Sequence, residues 1–209
     1  MGWWNERVVP RMTHATLDNP IVAGYRRQVC VDLAGDVLEL GFGTGLNLPH
    51  LPSAVRSLTA VEPSDLSWQI AEEAIAASPV PVTRGDLRAE AISLADASVD
   101  AVLVTFSLCT VQDPGQALSE ARRVLRPGGT VHFLEHGRAP GERVRRWQHR
   151  LEPMERAVAG GCHLTRSAPE LLEAAGFRLG AVDSWYVPGP AVTRPWGYVS
   201  LGRAERPKV

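Results

Sequence analysis

The chain has 209 residues, the length of one large domain, with 44% apolar and 22% charged residues, ordinary proportions for a folded globular protein. Twenty-two basic residues against 23 acidic ones leave a net charge of −1, a balance that gives no electrostatic argument for nucleic-acid binding, and none is expected. No apolar run approaches the about 18–20 residues that cross a bilayer. Met1–Arg7 has neither the basic start nor the apolar stretch of a secretion signal. Neither a membrane anchor nor secretion is expected, and the reading is a cytoplasmic protein. Cys30, Cys109 and Cys162 lie far apart in sequence, which favours free buried thiols over a disulfide framework or a Cys-x-x-Cys zinc site.

Residues 1–32 read as an N-terminal extension and helix, 33–136 as an alternating strand–helix core, and 137–209 as helices and closing strands, all within one domain. Strands are predicted at residues 36–40, 56–61, 80–84, 99–105 and 130–135. The first ends in a Gly-rich turn, Gly41 to Gly45, and the fourth is apolar nearly throughout, as a strand covered on both faces is. Ser64 caps a predicted helix to about Ala77, and Asp113-Pro114 opens another to about Leu125. Arg126-Pro127-Gly128-Gly129 reads as a tight turn before the fifth strand. Residues 141–159 read as a helix with Trp147, Leu151, Met154 and Val158 on its apolar face. Ser167-x-x-Glu170 is a capping box before a short helix that Gly176 ends. Two strands, about 177–186 and 196–203, close the chain around a Pro/Gly turn. Trp185 and Trp196 are expected in the sheet core. Alternation of strand and helix predicts an α/β fold with a mainly parallel sheet.

In such a sheet a ligand sits beyond the carboxyl ends of the strands. There the sequence reads Glu39-Leu40-Gly41-Phe42-Gly43-Thr44-Gly45. Glycines permit positive φ and bare-backbone contact, and a following helix would aim free N–H groups at an anion. Glu62, 21 residues after Gly41, ends the second strand, where a carboxylate can accept both hydroxyl protons of a ribose. The dinucleotide fingerprint G-x-G-x-x-G/A needs its third glycine one residue later, at Leu46. That spacing argues against a nicotinamide-dependent oxidoreductase.

The E-x-G-x-G-x-G pattern resembles the first motif of the class I S-adenosylmethionine-dependent methyltransferases. Residues 88–100 and Arg123-Val124-Leu125-Arg126-Pro127-Gly128-Gly129 resemble two later stretches of the ubiquinone/menaquinone C-methyltransferase group, so the likeness covers roughly residues 33–136. Leu134-Glu135-His136, Gly161-Cys162-His163-Leu164-Thr165-Arg166 and Gly197-Tyr198 are similar to the thiol methyltransferase branch, whose usual N-terminal membrane anchor has no counterpart in this sequence. The resemblance implies a Rossmann-like seven-stranded sheet with an antiparallel last strand, and S-adenosyl-L-methionine as cofactor. It implies that Gly41, Gly43 and Gly45 line the methionine part with Thr44 beside it. Glu39 would hold the amino group, Glu62 the ribose hydroxyls, Pro63 the adenine face, Arg88 and Ala89 the adenine edge, and Thr105 the methionine end. Arg88 stands where the family has Asn or Asp, so the Ala89 backbone or Asp86 takes that role more naturally.

The implied reaction is methyl transfer to a small-molecule acceptor, with thiol S-methylation first and C- or O-methylation of a quinone-like or phenolic ring second. His136 is the candidate general base; alternatively it is a structural histidine bonded to Glu135 or a loop carbonyl. Cys109 is expected to shape the pocket, and Cys162 to be a small buried residue. Arg146 and Trp147 are candidates for a substrate lid. His50, His132 and His149 have no ligand partners at suitable spacing, so no metal is expected. A non-enzymatic S-adenosylmethionine-binding module remains the other reading.

Overall fold

In the computed structural model, residues 2–208 are described; Met1 and Val209, the ends of the expected domain, lie outside them. Seven strands form one sheet: β1 (Gly35–Leu40), β2 (Val55–Val61), β3 (Val82–Arg84), β4 (Val99–Thr105), β5 (Leu125–His136), β6 (Arg178–Tyr186) and β7 (Tyr198–Glu205). Their order is β3-β2-β1-β4-β5-β7-β6. β1 to β5 pair in parallel, and β7 runs antiparallel to both β5 and β6. The expected seven-stranded α/β sheet with its antiparallel last strand is the observed fold.

Side-chain alternation along β4 explains the layers. Val102 and Val104 join one apolar cluster with Leu118, Phe133 and Leu172, while Ala101 and Leu103 join another with Val29, Leu58 and Ala71. Both faces of the strand are buried, so its polar positions are few. The first cluster is covered by α5 (Pro114–Val124) and α7 (Ala168–Ala174), the second by α3 (Pro20–Cys30) and α4 (Asp65–Ala77). The caps read from the sequence are made at two helices: Ser64 accepts from Ser67 N at 3.1 Å, and Asp113 from Gln116 N at 2.9 Å. Each supplies an acceptor to a backbone N–H that the first helical turn leaves open.

Four local expectations are corrected. The Gly turn is followed by a single 3-10 turn, Leu48–His50, and no α-helix, because Pro49 and Pro52 interrupt the backbone donors there. The Arg126–Gly129 turn is an irregularity within β5, where the pairing with β4 jumps from Val99↔Leu125 to Ala101↔Thr130. Ser167 makes no side-chain cap to α7, and Glu170 pairs with Arg138 instead.

The helix expected over 141–159 is α6 (Glu142–Val158), and its apolar stripe is largely exposed, with Leu151 half-buried. Trp147 is 49% exposed and Met154 52%. The fully buried side chain is Gln148, which donates to Gly137 O and Pro195 O and accepts from Ala139 N. A glutamine whose two N–H donors and carbonyl all find partners is buried at little cost. Trp196, expected in the sheet core, is the fourth correction: it lies in a short helix, Arg194–Gly197, is 37% exposed and donates to Glu155; Trp185 is half-buried, edge-on to Tyr25 at 5.0 Å.

The strand order reverses between β1 and β4. The crevice at such a switch point is where α/β sheets bind ligands, and the two loops that flank it are Gly41–Gly45 and Thr105–Cys109.

Candidate active site

The Gly turn is stapled to the end of β2. Gly41 N and Phe42 N donate to Val61 O at 3.0 and 3.1 Å, and Gly43 N donates to Glu62 Oε2 at 2.7 Å. Glu62 Oε1 accepts from Ser64 N at 2.7 Å, so one buried carboxylate ties the turn to the start of α4. Its burial raises its pKa, partly offset by these backbone donors. Gly41, Gly43 and Gly45 all have positive φ, at 73°, 60° and 76°. Their surroundings differ. A Cβ at Gly41 would lie 2.1 Å from Ser107 Oγ, whereas one at Gly43 would meet nothing within 4 Å. Gly41 is therefore required by packing, and Gly43 presents bare backbone to open space.

Beneath the turn lies a buried polar group that sequence reasoning only partly anticipated. Asn47 Nδ2 donates to Glu39 Oε1 at 2.6 Å and to Thr105 Oγ1 at 2.9 Å. Arg26 Nη1 donates to Asn47 Oδ1 at 2.8 Å and Thr105 Oγ1 at 3.0 Å. Glu39 is fully buried, and its Oε2 has no protein partner. Burial pushes its pKa up to about 8, against the pull of Asn47 and Arg26. Thr44 Oγ1 bonds His14 Nδ1 at 2.8 Å, so α2 (Val9–Leu17) lies against the turn.

The residues expected at the adenine are less convergent. Pro63 is exposed beside Glu62, and Ala89 is buried. The Arg88 side chain is 66% exposed and lies 3.7 Å from Glu90. Asp86 accepts from Ser93 N and Oγ at 2.7 and 3.0 Å.

Across the switch point, the ends of β4 and β5 form a second group. Phe106 takes a positive φ of 53°, unusual for a non-glycine residue and common where a site imposes strain. Glu135 Oε1 accepts from Ser107 N at 2.6 Å and Leu108 N at 3.1 Å, fixing the loop. Burial raises the Glu135 pKa to about 7. His136 does not bond Glu135 or a loop carbonyl; its Nε2 lies 3.0 Å from Cys162 Sγ. Burial works against the imidazolium, but the bond and charge of Cys162 outweigh it and raise His136 above its ordinary value. The Cys162 thiol is lowered, first by the Cys109 hydrogen bond and then by His136. His136 also borders a cavity of about 240 Å³ whose wall includes Arg138, Glu170, Tyr198 and Ser200.

The late motif closes this side. Glu152 accepts from Thr165 N and Oγ1 at 2.9 and 2.6 Å and lies 3.2 Å from His163 Nδ1. Arg166 Nη1 donates to Leu108 O and Val111 O at 2.7 and 2.6 Å.

Residues 38–133 match the family model described as a methyltransferase domain. The thiol S-methyltransferase TMT1B of Rattus norvegicus is 36% identical over 177 residues, 81% of this chain and 70% of that protein. The chain belongs to the S-adenosylmethionine-dependent methyltransferases. The demethylmenaquinone methyltransferase of Streptomyces avermitilis is 38% identical to it over 116 residues, 53% of this chain and 48% of that one. Among solved structures, the YcgJ protein of Bacillus subtilis aligns with a TM-score of 0.71 at 15% identity, covering 90% of this chain and 98% of that one, which shows the shared fold.

The cofactor of this methyltransferase is S-adenosylmethionine, and the residues at the turn fit it. An unpartnered buried carboxylate oxygen on Glu39 suits an ammonium, the Gly43 backbone faces open space, and Glu62 is an acceptor for hydroxyls. Arg26 and Asn47 escaped the sequence reading because their partners lie 8 to 79 residues away and neither type is unusual in a helix or loop. Cys162 was legible only through the family resemblance; no spacing rule links it to His136, 26 residues earlier.

Proposed function

We propose that this methyltransferase S-methylates a small-molecule thiol, within one domain whose residues 33–136 serve the cofactor and whose residues 137–209 serve the acceptor. The observation that carries the reading is the meeting of His136 and Cys162 at 3.0 Å. It joins the two segments in which the sequence resembles thiol methyltransferases, and it agrees with the relationship to the rat enzyme. Bound S-adenosylmethionine supplies a methyl group on a sulfonium, electrophilic enough to react without further activation.

In this reading Gly41, Gly43, Gly45 and Thr44 hold the methionine part, Glu39 its ammonium, and Thr105 closes that end. Glu62 holds the ribose, Pro63 the adenine face and Ala89 the adenine edge through its backbone, with Arg88 outside the contact. The protein's main contribution is alignment and exclusion of water, worth at best roughly 7–11 kcal/mol for an in-line displacement. A thiol of pKa about 8.5 is a few per cent thiolate at neutral pH, so only modest help is needed. His136 and Cys162 stand on the acceptor side and promote the thiolate. Three free buried cysteines support a reducing, cytoplasmic setting, and no helix among the described residues is long and apolar enough to cross a membrane.

The test is incubation with S-adenosylmethionine and matched acceptors (thiophenol, an alkanethiol, catechol and a hydroquinone), with products resolved by mass. Thioethers from the thiols, formed at least about tenfold faster than any ring or oxygen product, are the expected result. Methylation confined to catechol or hydroquinone would reject the thiol reading.

A further inference from the structure

Cys109 follows β4, His136 ends β5 and Cys162 follows α6, yet one ligand atom from each lies within 4.8 Å of the other two. Their backbones are fixed from several directions. His163 N donates to Cys109 O at 2.8 Å, Arg166 clasps the carbonyls of Leu108 and Val111, and Glu135 holds the amides of Ser107 and Leu108. The side-chain bonds of the three include His136 to Cys162 at 3.0 Å and Cys109 Sγ to Phe106 O at 3.6 Å, and neither reaches the Gly41–Gly45 turn.

Two thiols and an imidazole are a donor set for a zinc-like cation, and a poor one for magnesium or calcium, which take oxygen. Three protein ligands are also the number that leaves a tetrahedral ion one open position, the arrangement of catalytic zinc sites. We propose that Cys109, His136 and Cys162 form a site for a zinc-type divalent cation, whose fourth position takes the acceptor thiol. This rests on the reading of the acceptor as a thiol.

The chemistry balances without a further reagent. The thiol binds through sulfur and its proton leaves to solvent, since a coordinating thiol is deprotonated outright. Two protein thiolates neutralise the dication, so the third sulfur keeps its negative charge and its nucleophilicity. That sulfur's lone pair forms the new S–C bond while the C–S bond of the sulfonium breaks, its electron pair staying on the departing thioether, S-adenosylhomocysteine. The methylated product is neutral, a weaker ligand than a thiolate, and is released. His136 then acts as a ligand and not as a base. The placement suits this role: Cys109 and His136 lie at the carboxyl ends of β4 and β5, the same end of the sheet at which β1 and β2 carry the Gly turn and Glu62.

The test is titration of the full chain, reduced and stripped of metal, with Co²⁺ under argon. About one equivalent should produce thiolate-to-cobalt charge-transfer absorption and the intense visible bands of a tetrahedral ion, and thiophenol should shift those bands. Cys109→Ser and Cys162→Ser should each weaken Co²⁺ binding by more than about tenfold, with S-adenosylhomocysteine affinity retained as the check on folding. A chain that binds S-adenosylhomocysteine and has three titratable thiols, but gives no charge-transfer band, overturns the site. Bands that thiophenol does not move overturn the open position. Equal thiol methylation by stripped and zinc-loaded protein also overturns the inference while leaving the thiol reading intact. Cobalt bands that respond to thiophenol in a protein that methylates no thiol support the metal site and sink the thiol reading instead.

Discussion

Glu39 and Glu62 are both buried carboxylates at the cofactor turn, and their surroundings give them different work. Glu62 has two backbone donors; Glu39 has one amide donor and an oxygen left without a partner. With a folded pKa of about 8 against an unfolded value of about 4.3, Glu39 binds its proton more tightly in the native chain. Its contribution to stability is therefore full below the unfolded value and is lost as pH rises through the folded one. Denaturation midpoints of the wild type should fall relative to Glu39→Gln between pH 5 and 8, by at most about 1.4 kcal/mol per pH unit; parallel curves would mean that Glu39 is ionised in the native protein. Glu62→Ala removes a charged acceptor and should weaken S-adenosylhomocysteine binding by roughly 1.5–3 kcal/mol. Unchanged affinity in a folded variant would reject the ribose assignment.

Elements with a clear apolar pattern were legible, as β4 illustrates: a short, valine-rich, nearly continuous apolar stretch reads as a strand covered on both faces, and Val99–Thr105 is that strand. The Gly turn was legible because its spacing is chemical. Its neighbours were less so. The helix expected after it was stopped by two prolines, and the fully buried side chain of α6 is Gln148, whose three partners lie in the β5 exit loop and at Pro195. A polar residue that finds every bond in tertiary structure gives no sign of it in a hydropathy pattern. Within the turn, space separates glycines that sequence treats alike. Gly41→Ala should lower the melting temperature sharply, because its Cβ would overlap Ser107. Gly43→Ala should cost only the about 1–2 kcal/mol of a left-handed alanine yet reduce S-adenosylhomocysteine affinity at least about tenfold, its methyl entering the open space. Equal loss of stability in the two variants would contradict this division.

At the scale of the molecule, one end of the sheet carries both candidate groups, the Gly turn with Glu62 and the Cys109–His136–Cys162 cluster. In the proposed assignment the cofactor residues stand at the ends of β1, β2 and β4 and after β3, and the Cys109–His136–Cys162 cluster stands at the end of β5, after β4 and after α6. The Gly41–Gly45 turn is contiguous and Glu62 follows at a recognisable distance, so that part of the first group could be read directly, whereas Arg26 and Asn47 beneath it could not. The second group is built from residues 26 and 27 positions apart, brought together only by the parallel sheet and the return of the chain after α6. Everything assigned to the acceptor depends on the Gly41–Gly45 turn and Glu62 holding an adenosyl amino acid. Calorimetric titration with S-adenosylhomocysteine, with NAD as the control, tests that most directly. A micromolar dissociation constant, about −8 kcal/mol, with no heat from NAD is the predicted result. Binding of NAD with no heat from S-adenosylhomocysteine would contradict the account at its base.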